Sequence, residues 1–155
     1  MIRPAAVGDL PAILDLIHEL AAFEREPDAV LTTCDDLRRA LFGEQPTVFA
    51  HVAEQDGTVV GAAVWFVSFS TWTGRSGIYL QDLVIRQDAR GGGHGRALMR
   101  ELARICLERG YRRLDWSVLD WNVDAQRFYT GLGAVALPDW QSWRLAGPGL
   151  QLLGG

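Results

Sequence analysis

The chain has 155 residues, 48% of them hydrophobic and 22% charged, a length that fits one domain and a composition too apolar for a disordered one. Its 15 Lys+Arg against 19 Asp+Glu give a net charge of −4, which argues against nucleic-acid binding through a basic face. No apolar run approaches the roughly 20 residues of a membrane span, and the N-terminus has no signal-peptide pattern. Two cysteines, Cys34 and Cys106, exclude a disulfide scaffold and lack zinc-ligand spacing, so no metal is expected. A soluble, cytoplasmic domain is the expectation, with a surplus of 17 Gly and 6 Trp to be accounted for.

Residues 1–6 read as a short strand. Asp9 is placed to cap a helix with Pro11 in its first turn, and Ile13, Leu16, Ile17, Leu20 and Ala21 recur at helical spacing to about Arg25. Pro27 ends that helix. Thr33, with Asp36 three residues on, opens a shorter one whose apolar side is Leu37, Ala40 and Leu41, and Gly43 closes it. From Thr47 the period changes to two, and Asp56-Gly57 turns one strand into the next, residues 59–67. A loop over residues 68–76 is expected to carry Trp72 and Gly74. Residues 78–85 form a strand with apolar residues on both faces, as in strands covered on two sides. After the glycine-dense stretch 90–96, Leu98, Leu102, Ile105 and Cys106 mark one face of a helix that stops at Gly110. Leu114, Trp116 and Val118 read as a strand. Asn122 or Asp124 caps a helix bearing Ala125, Phe128, Tyr129 and Leu132, residues 143–145 form a last strand, and the C-terminal glycines a loose end. This order predicts a single α/β domain, residues 1–155, with a mixed sheet.

Arg90-Gly91-Gly92-Gly93-His94-Gly95-Arg96 lies between a buried strand and an amphipathic helix. Glycines let the backbone turn sharply and bring its N–H groups against a ligand, and a helix N-terminus offers unpaired donors and a positive dipole end. With two arginines, that is a recipe for binding pyrophosphate. A mononucleotide P-loop needs Lys-Ser/Thr after the last glycine, where this chain has Arg96-Ala97. A dinucleotide Gly-x-Gly-x-x-Gly would end on Arg96 or Leu98 instead of glycine, although Asp115 falls near the right distance for its acidic partner.

The order Arg-x-x-Gly-x-Gly, from Arg90 to Gly95, resembles the signature loop of the GCN5-related N-acetyltransferases, which binds the pyrophosphate of acetyl-CoA. The resemblance covers almost the whole chain. Ile2-Arg3-Pro4-Ala5, Gly43-Glu44-Gln45-Pro46, Tyr79-Leu80-Gln81-Asp82-Leu83, Asp120-Trp121-Asn122 and Phe128-Tyr129 look like the diamine (polyamine) and thialysine acetyltransferase branch. It implies a mixed, mostly antiparallel sheet flanked by helices, with splayed central strands, in a homodimeric enzyme. Acetyl-CoA is the implied cosubstrate and a small cationic amine the acceptor, joined in a ternary complex for direct transfer.

The same resemblance assigns residues. Leu83, Val84 and Ile85 match the strand whose backbone aligns the pantetheine arm, with the Leu83 N–H facing the thioester oxyanion. Arg90, Gly91, Gly92, Gly93, His94, Gly95 and Arg96 match the pyrophosphate loop. Tyr129 matches the tyrosine that protonates the coenzyme sulfur, though its spacing equally fits a core aromatic. Asn122 sits where the branch contacts the coenzyme, and it also fits a plain helix cap. Gln81 is a departure: the branch has Leu-Glu-Asp here, and that glutamate binds and deprotonates the amine, which an amide cannot do near pH 7. Asp82 takes over, water carries the proton, or the acceptor differs; a weakly active CoA-binding module is the reading from another class. Asp82 also reads as a buried or paired structural aspartate. Glu24 and Trp72 match acceptor-site positions, against a solvated helix-end charge and a dimer-packing tryptophan respectively. His18 and His51 show no metal-ligand spacing, and His94, inside the glycine loop, is expected to point to solvent.

Overall fold

The computed structural model describes all 155 residues, which fall into two compact units, residues 1–119 and 120–155. The first holds a five-stranded sheet in the order β1 (Ile2–Pro4), β2 (Val48–Gln55), β3 (Thr58–Ser70), β4 (Arg75–Ile85) and β5 (Leu114–Asp115). The first three pairings are antiparallel and β4–β5 is parallel. Helices α1 (Leu10–Phe23), α2 (Cys34–Phe42) and α3 (His94–Arg109) complete it.

Strand alternation sends neighbouring residues to opposite faces. Ala50 and Val52 of β2, Ala62 and Val64 of β3, and Val84 of β4 pack with Leu10, Ile13 and Leu16 of α1 and Leu37 and Leu41 of α2. The alternate residues His51, Ala63 and Trp65 face the other way, where α3 buries Leu98, Leu102 and Ile105. His51 accepts a hydrogen bond from Trp65 Nε1 (3.1 Å) and lies 4.0 Å from Glu101 of α3. Two covered faces explain why these strands read as apolar on both sides.

The local rules place most boundaries. Thr33 Oγ1 accepts from the Asp36 N–H while the Asp36 carboxylate accepts from the Thr33 N–H, the reciprocal box its spacing predicts. Gly110 closes α3 at φ 69°, a left-handed conformation that glycine adopts without strain. Asp9 behaves differently from a side-chain cap. Its carboxylate accepts two bonds from Arg3 (2.7 and 3.0 Å) and one from the Ala6 N–H (2.7 Å), while Arg3 Nε also donates to Glu54 (2.8 Å). One guanidinium thereby joins β1, the start of α1 and the end of β2.

Four further expectations are corrected. The strand read over Leu114, Trp116 and Val118 is only Leu114–Asp115, because its pairing with β4 stops at Tyr79↔Asp115. The loop over 68–76 shrinks to a turn of residues 71–74, because Val67 and Phe69 continue the two-residue period. That turn is closed by Ser70 Oγ, which accepts from the N–H groups of Trp72 and Thr73 (both 3.2 Å), and by Gly74 at φ 65°. Residues 143–145 form no strand; Trp143 is 90% exposed and no ladder partner meets it. The C-terminal glycines are not a loose end but open and close a short helix, α5 (Pro148–Gly154), with Pro148 in its first turn. The second unit also contains α4 (Val123–Gly131), capped by Asn122 Oδ1, which accepts from the Ala125 N–H (3.2 Å).

Asp9 tests the N-terminal tie. The Arg3 guanidinium holds its carboxyl below the usual carboxylate range, so its contribution is complete above about pH 4 and lost as pH falls further. Asp9→Asn is expected to destabilise the fold by about 2 kcal/mol at pH 7 in urea unfolding, and the gap to the parent protein should close toward pH 3. A gap independent of pH would show that the carboxylate charge is not what stabilises.

Candidate active site

The site residues of the first unit lie along β4 and just past it. β3 and β4 pair regularly from Ser70↔Arg75 to Trp65↔Leu80, then resume at Val64↔Asp82. Gln81 is the extra residue, a β-bulge. It resets the alternation: Leu80 shares the face of Trp65, toward α3, whereas Asp82 and Val84 share the face of Val64 and Ala62, toward α1. In a regular strand without the bulge, Leu80 and Asp82, two residues apart, would point to one side.

On its other edge β4 pairs with β5 only at Ile78↔Leu114 and Tyr79↔Asp115. Tyr79 Oη and Ser117 Oγ, 3.0 Å apart, mark the end of the contact. From Gln81 to Ile85 that edge of the strand has no ladder partner, so backbone N–H and C=O groups there are open to a ligand, as splayed strands require.

Asp82 is half-buried, and α1 ends beside it with Glu24 as its C-terminal cap. Burial, and secondarily the negative charge of Glu24, push the Asp82 carboxyl up to about 6. Burial also raises Glu24. Two carboxylates and the negative end of the α1 dipole thus converge, a field that attracts a cation. Gln81 is exposed on the bulge beside them. Trp72 is not brought to this cluster: it sits at the hairpin tip, 79% exposed, about 23 Å along β4 from Asp82 at 3.3 Å per residue.

Beyond Ile85 the chain makes one short turn, residues 87–89, and enters the glycine loop. Gly91 (φ 85°) and Gly93 (φ 81°) are left-handed, and a Cβ on either would meet nothing within 4 Å; conformation, not space, selects glycine there. α3 begins at His94, so Gly95 and Arg96 lie in its first turn. The Ala97 N–H closes the first helical bond, to the Gly93 carbonyl (3.0 Å), leaving the N–H groups of His94, Gly95 and Arg96 ahead of it for an anion. Arg90 Nε donates to the Ile85 carbonyl (3.2 Å), and its guanidinium carbon lies 5.5 Å from the Phe23 ring centre. These contacts fix the arginine while leaving its outer donors to a ligand. The donors fit a pyrophosphate in number and charge.

Three residues that the sequence does not single out hold the loop. Glu19 accepts from the Gln87 N–H (2.9 Å), Phe23 lies under Arg90, and Gln55 Oε1 meets His94 Nε2 (2.9 Å). The hydrogen-bonded pairs are 68 and 39 positions apart, so no local pattern announces them. His94 is therefore not turned to open solvent. In the second unit, Asn122 caps α4, and Tyr129, half-buried, meets Phe128 edge-on with ring centres 5.2 Å apart. Cys106 is a buried core residue.

A family model described as the acetyltransferase (GNAT) family matches residues 11–134. A thialysine N-epsilon-acetyltransferase of Bos taurus is 38% identical over 166 residues, which cover 100% of this chain and 97% of that protein. A spermidine/spermine N(1)-acetyltransferase-like protein 1 of Homo sapiens is 34% identical over 151 residues, covering 93% of this chain and 22% of that protein. Among solved structures, an integron cassette protein from the mobile metagenome of V. cholerae superposes with a TM-score of 0.82 at 27% identity, covering 99% of this chain and 96% of that one.

Gly93→Ala should lower the unfolding midpoint by a few degrees, since a left-handed alanine costs about 1 kcal/mol. Gly8, with open space and no positive φ, is the control. Equal midpoints for Gly93→Ala and Gly8→Ala would show that the loop relaxes freely.

Proposed function

Because the chain belongs to the acetyltransferase (GNAT) family, we propose that it transfers the acetyl group of acetyl-CoA to a primary amine of a small cationic acceptor. A polyamine or diamine is the first choice and a thialysine-like amino acid the next, acetylated directly in a ternary complex. The names of the two relatives above support both. The family match runs through both units, and we read residues 1–155 as one N-acetyltransferase domain, cytoplasmic and homodimeric.

The observation that carries the acceptor reading is the Asp82–Glu24 pair on the α1 side of the bulge. An ammonium is attracted there, and Asp82, at about 6, is a stronger base at neutral pH than an ordinary carboxylate. Asp82 takes the amine proton that the Gln81 amide cannot, while Gln81 accepts a hydrogen bond from the acceptor. Glu24 supplies the second negative charge. Trp72 acts on the far end of a long acceptor or at the contact between copies. The loop from Arg90 through Gly91, Gly92, Gly93, His94 and Gly95 to Arg96 binds the pyrophosphate of acetyl-CoA. The open backbone of Leu83, Val84 and Ile85 aligns the pantetheine arm, and the Leu83 N–H stabilises the oxyanion. Asn122 contacts the coenzyme, and Tyr129 returns a proton to the departing thiolate.

A thiol-release assay with acetyl-CoA across polyamines, diamines, thialysine and ornithine is the test. Turnover is expected on one or more cationic amines. Binding of acetyl-CoA without turnover on any of them would replace the enzyme reading with that of a CoA-binding module. Turnover confined to uncharged amines would assign a different acceptor class, as Gln81 in place of glutamate allows.

Protonation of Asp82 removes the base, so kcat/KM should fall as pH drops below about 6. Asp82→Asn is expected to cost roughly a hundredfold in kcat and to abolish that acidic limb. An unchanged limb in Asp82→Asn would assign the base elsewhere.

A further inference from the structure

Apart from three histidines, every basic side chain of this protein is an arginine; the sequence contains no lysine. Several of these arginines are paired: Arg3 with Asp9 and Glu54, Arg38 and Arg39 with Asp35, Arg86 with Asp88, and Arg104 with Glu101 and Glu108. A different group gathers at the C-terminal end of α3. Arg75, Arg109 and Arg112 line one open cleft of ≈ 480 Å³ together with Leu107, Gly110 and Tyr111. No carboxylate lines it, and none of the three arginines forms an ion pair.

The cleft is held in shape before any ligand arrives. The Arg109 guanidinium carbon lies 5.7 Å from the ring centre of the fully buried Trp65 and 5.8 Å from that of Tyr111. Two aromatic faces thus restrict the side chain that would otherwise lose most freedom on binding. Arg112 is carried by a segment tied on both sides: the next carbonyl, that of Arg113, accepts from the Ile78 N–H of β4 (3.0 Å) and from Cys106 Sγ of α3 (3.7 Å). β4 passes so near that a Cβ on Gly77 would lie 2.7 Å from that same oxygen. Arg75 opens β4 at the foot of its hairpin, its N–H bonded to Thr73 Oγ1 (3.3 Å).

Three unpaired cations on one rigid cleft repel each other, in a chain whose net charge is −4. The carbonyl end of α3 compensates about half a charge, which leaves most of it unmet. Guanidinium forks match the oxygens of a phosphate bidentately, and several of them are suited to an anion with two or more charges. The exposed side chain of Leu107 and the Tyr111 ring give such a ligand an apolar and aromatic margin. We propose that this cleft is a binding site for a phosphate-bearing small molecule, separate from the glycine loop. The two stand at opposite ends of the 16-residue α3, about 24 Å apart at 1.5 Å per residue, so one pyrophosphate cannot serve both.

Calorimetric titration of the full chain with inorganic pyrophosphate at low ionic strength tests the site, with Arg75→Gln/Arg112→Gln and Arg90→Gln/Arg96→Gln as variants. Arg75 and Arg112 are exposed. An unchanged unfolding midpoint shows that the first variant folds, and single Arg112→Gln serves if it does not. Saturable binding that survives Arg90→Gln/Arg96→Gln and weakens roughly tenfold or more in Arg75→Gln/Arg112→Gln is expected, and Arg112→Lys should recover part of it. Binding that vanishes with the loop variant, binding indifferent to the cleft variant, or no saturable binding by the parent protein overturns the proposal.

Discussion

One extra residue in β4 sets the terms for the rest of the molecule. A strand covered on both faces must divide its side chains between two cores, and a regular β4 would do so in strict alternation. With Gln81 inserted, Ile78 and Leu80 serve the α3 side and Asp82 and Val84 serve the α1 side. A carboxylate is thereby placed under the end of a helix, near Glu24, instead of among the residues that pack on Trp65. The bulge falls where β5 no longer accompanies β4, so the reset in direction and the loss of a neighbour coincide.

Along this one strand and its extension the charges are sorted. The acidic end of α1 meets the bulge. About ten residues further on, Arg90, Arg96 and the donor end of α3 form a positive pole. The open backbone of residues 81–85 lies between the two. Such an order suits a reaction joining a cationic partner to a polyanionic one, because each is drawn to its own end and repelled from the other's. Glu19 and Arg90 connect α1 to the strand's exit, so the acidic and basic regions are braced by the same helix.

The parts of this arrangement legible in the sequence are those governed by local rules. Thr33 with Asp36, Asn122 as a cap, Gly110 as a stop and the glycines of the loop each act within a few residues, and their chemistry names them. What escaped depends on a partner far along the chain. A bulge exists only relative to β3, and nothing in Tyr79-Leu80-Gln81-Asp82 marks which residue is extra. Asp9 looks like a helix cap until Arg3 is placed beside it, and nothing near His51 in sequence announces Trp65 or Glu101. The hairpin looks shorter in the sequence than it is because serines alternate with Val67 and Phe69 near its tip, and serine is a turn signal as readily as a strand's polar face. Residues 143–145 show the converse: their pattern suits a strand, and no neighbour in this chain receives it.

The exclusive use of arginine has a consequence of its own. Thioesters such as acetyl-CoA react slowly with lysine ε-amines wherever they meet them, and lysine is the usual target of protein acylation. This chain offers none. A member of an acetyltransferase family with this composition therefore cannot accumulate lysine acetylation within these residues. In the laboratory the same property leaves amine-directed labels and coupling surfaces no side chain among these 155 residues to address.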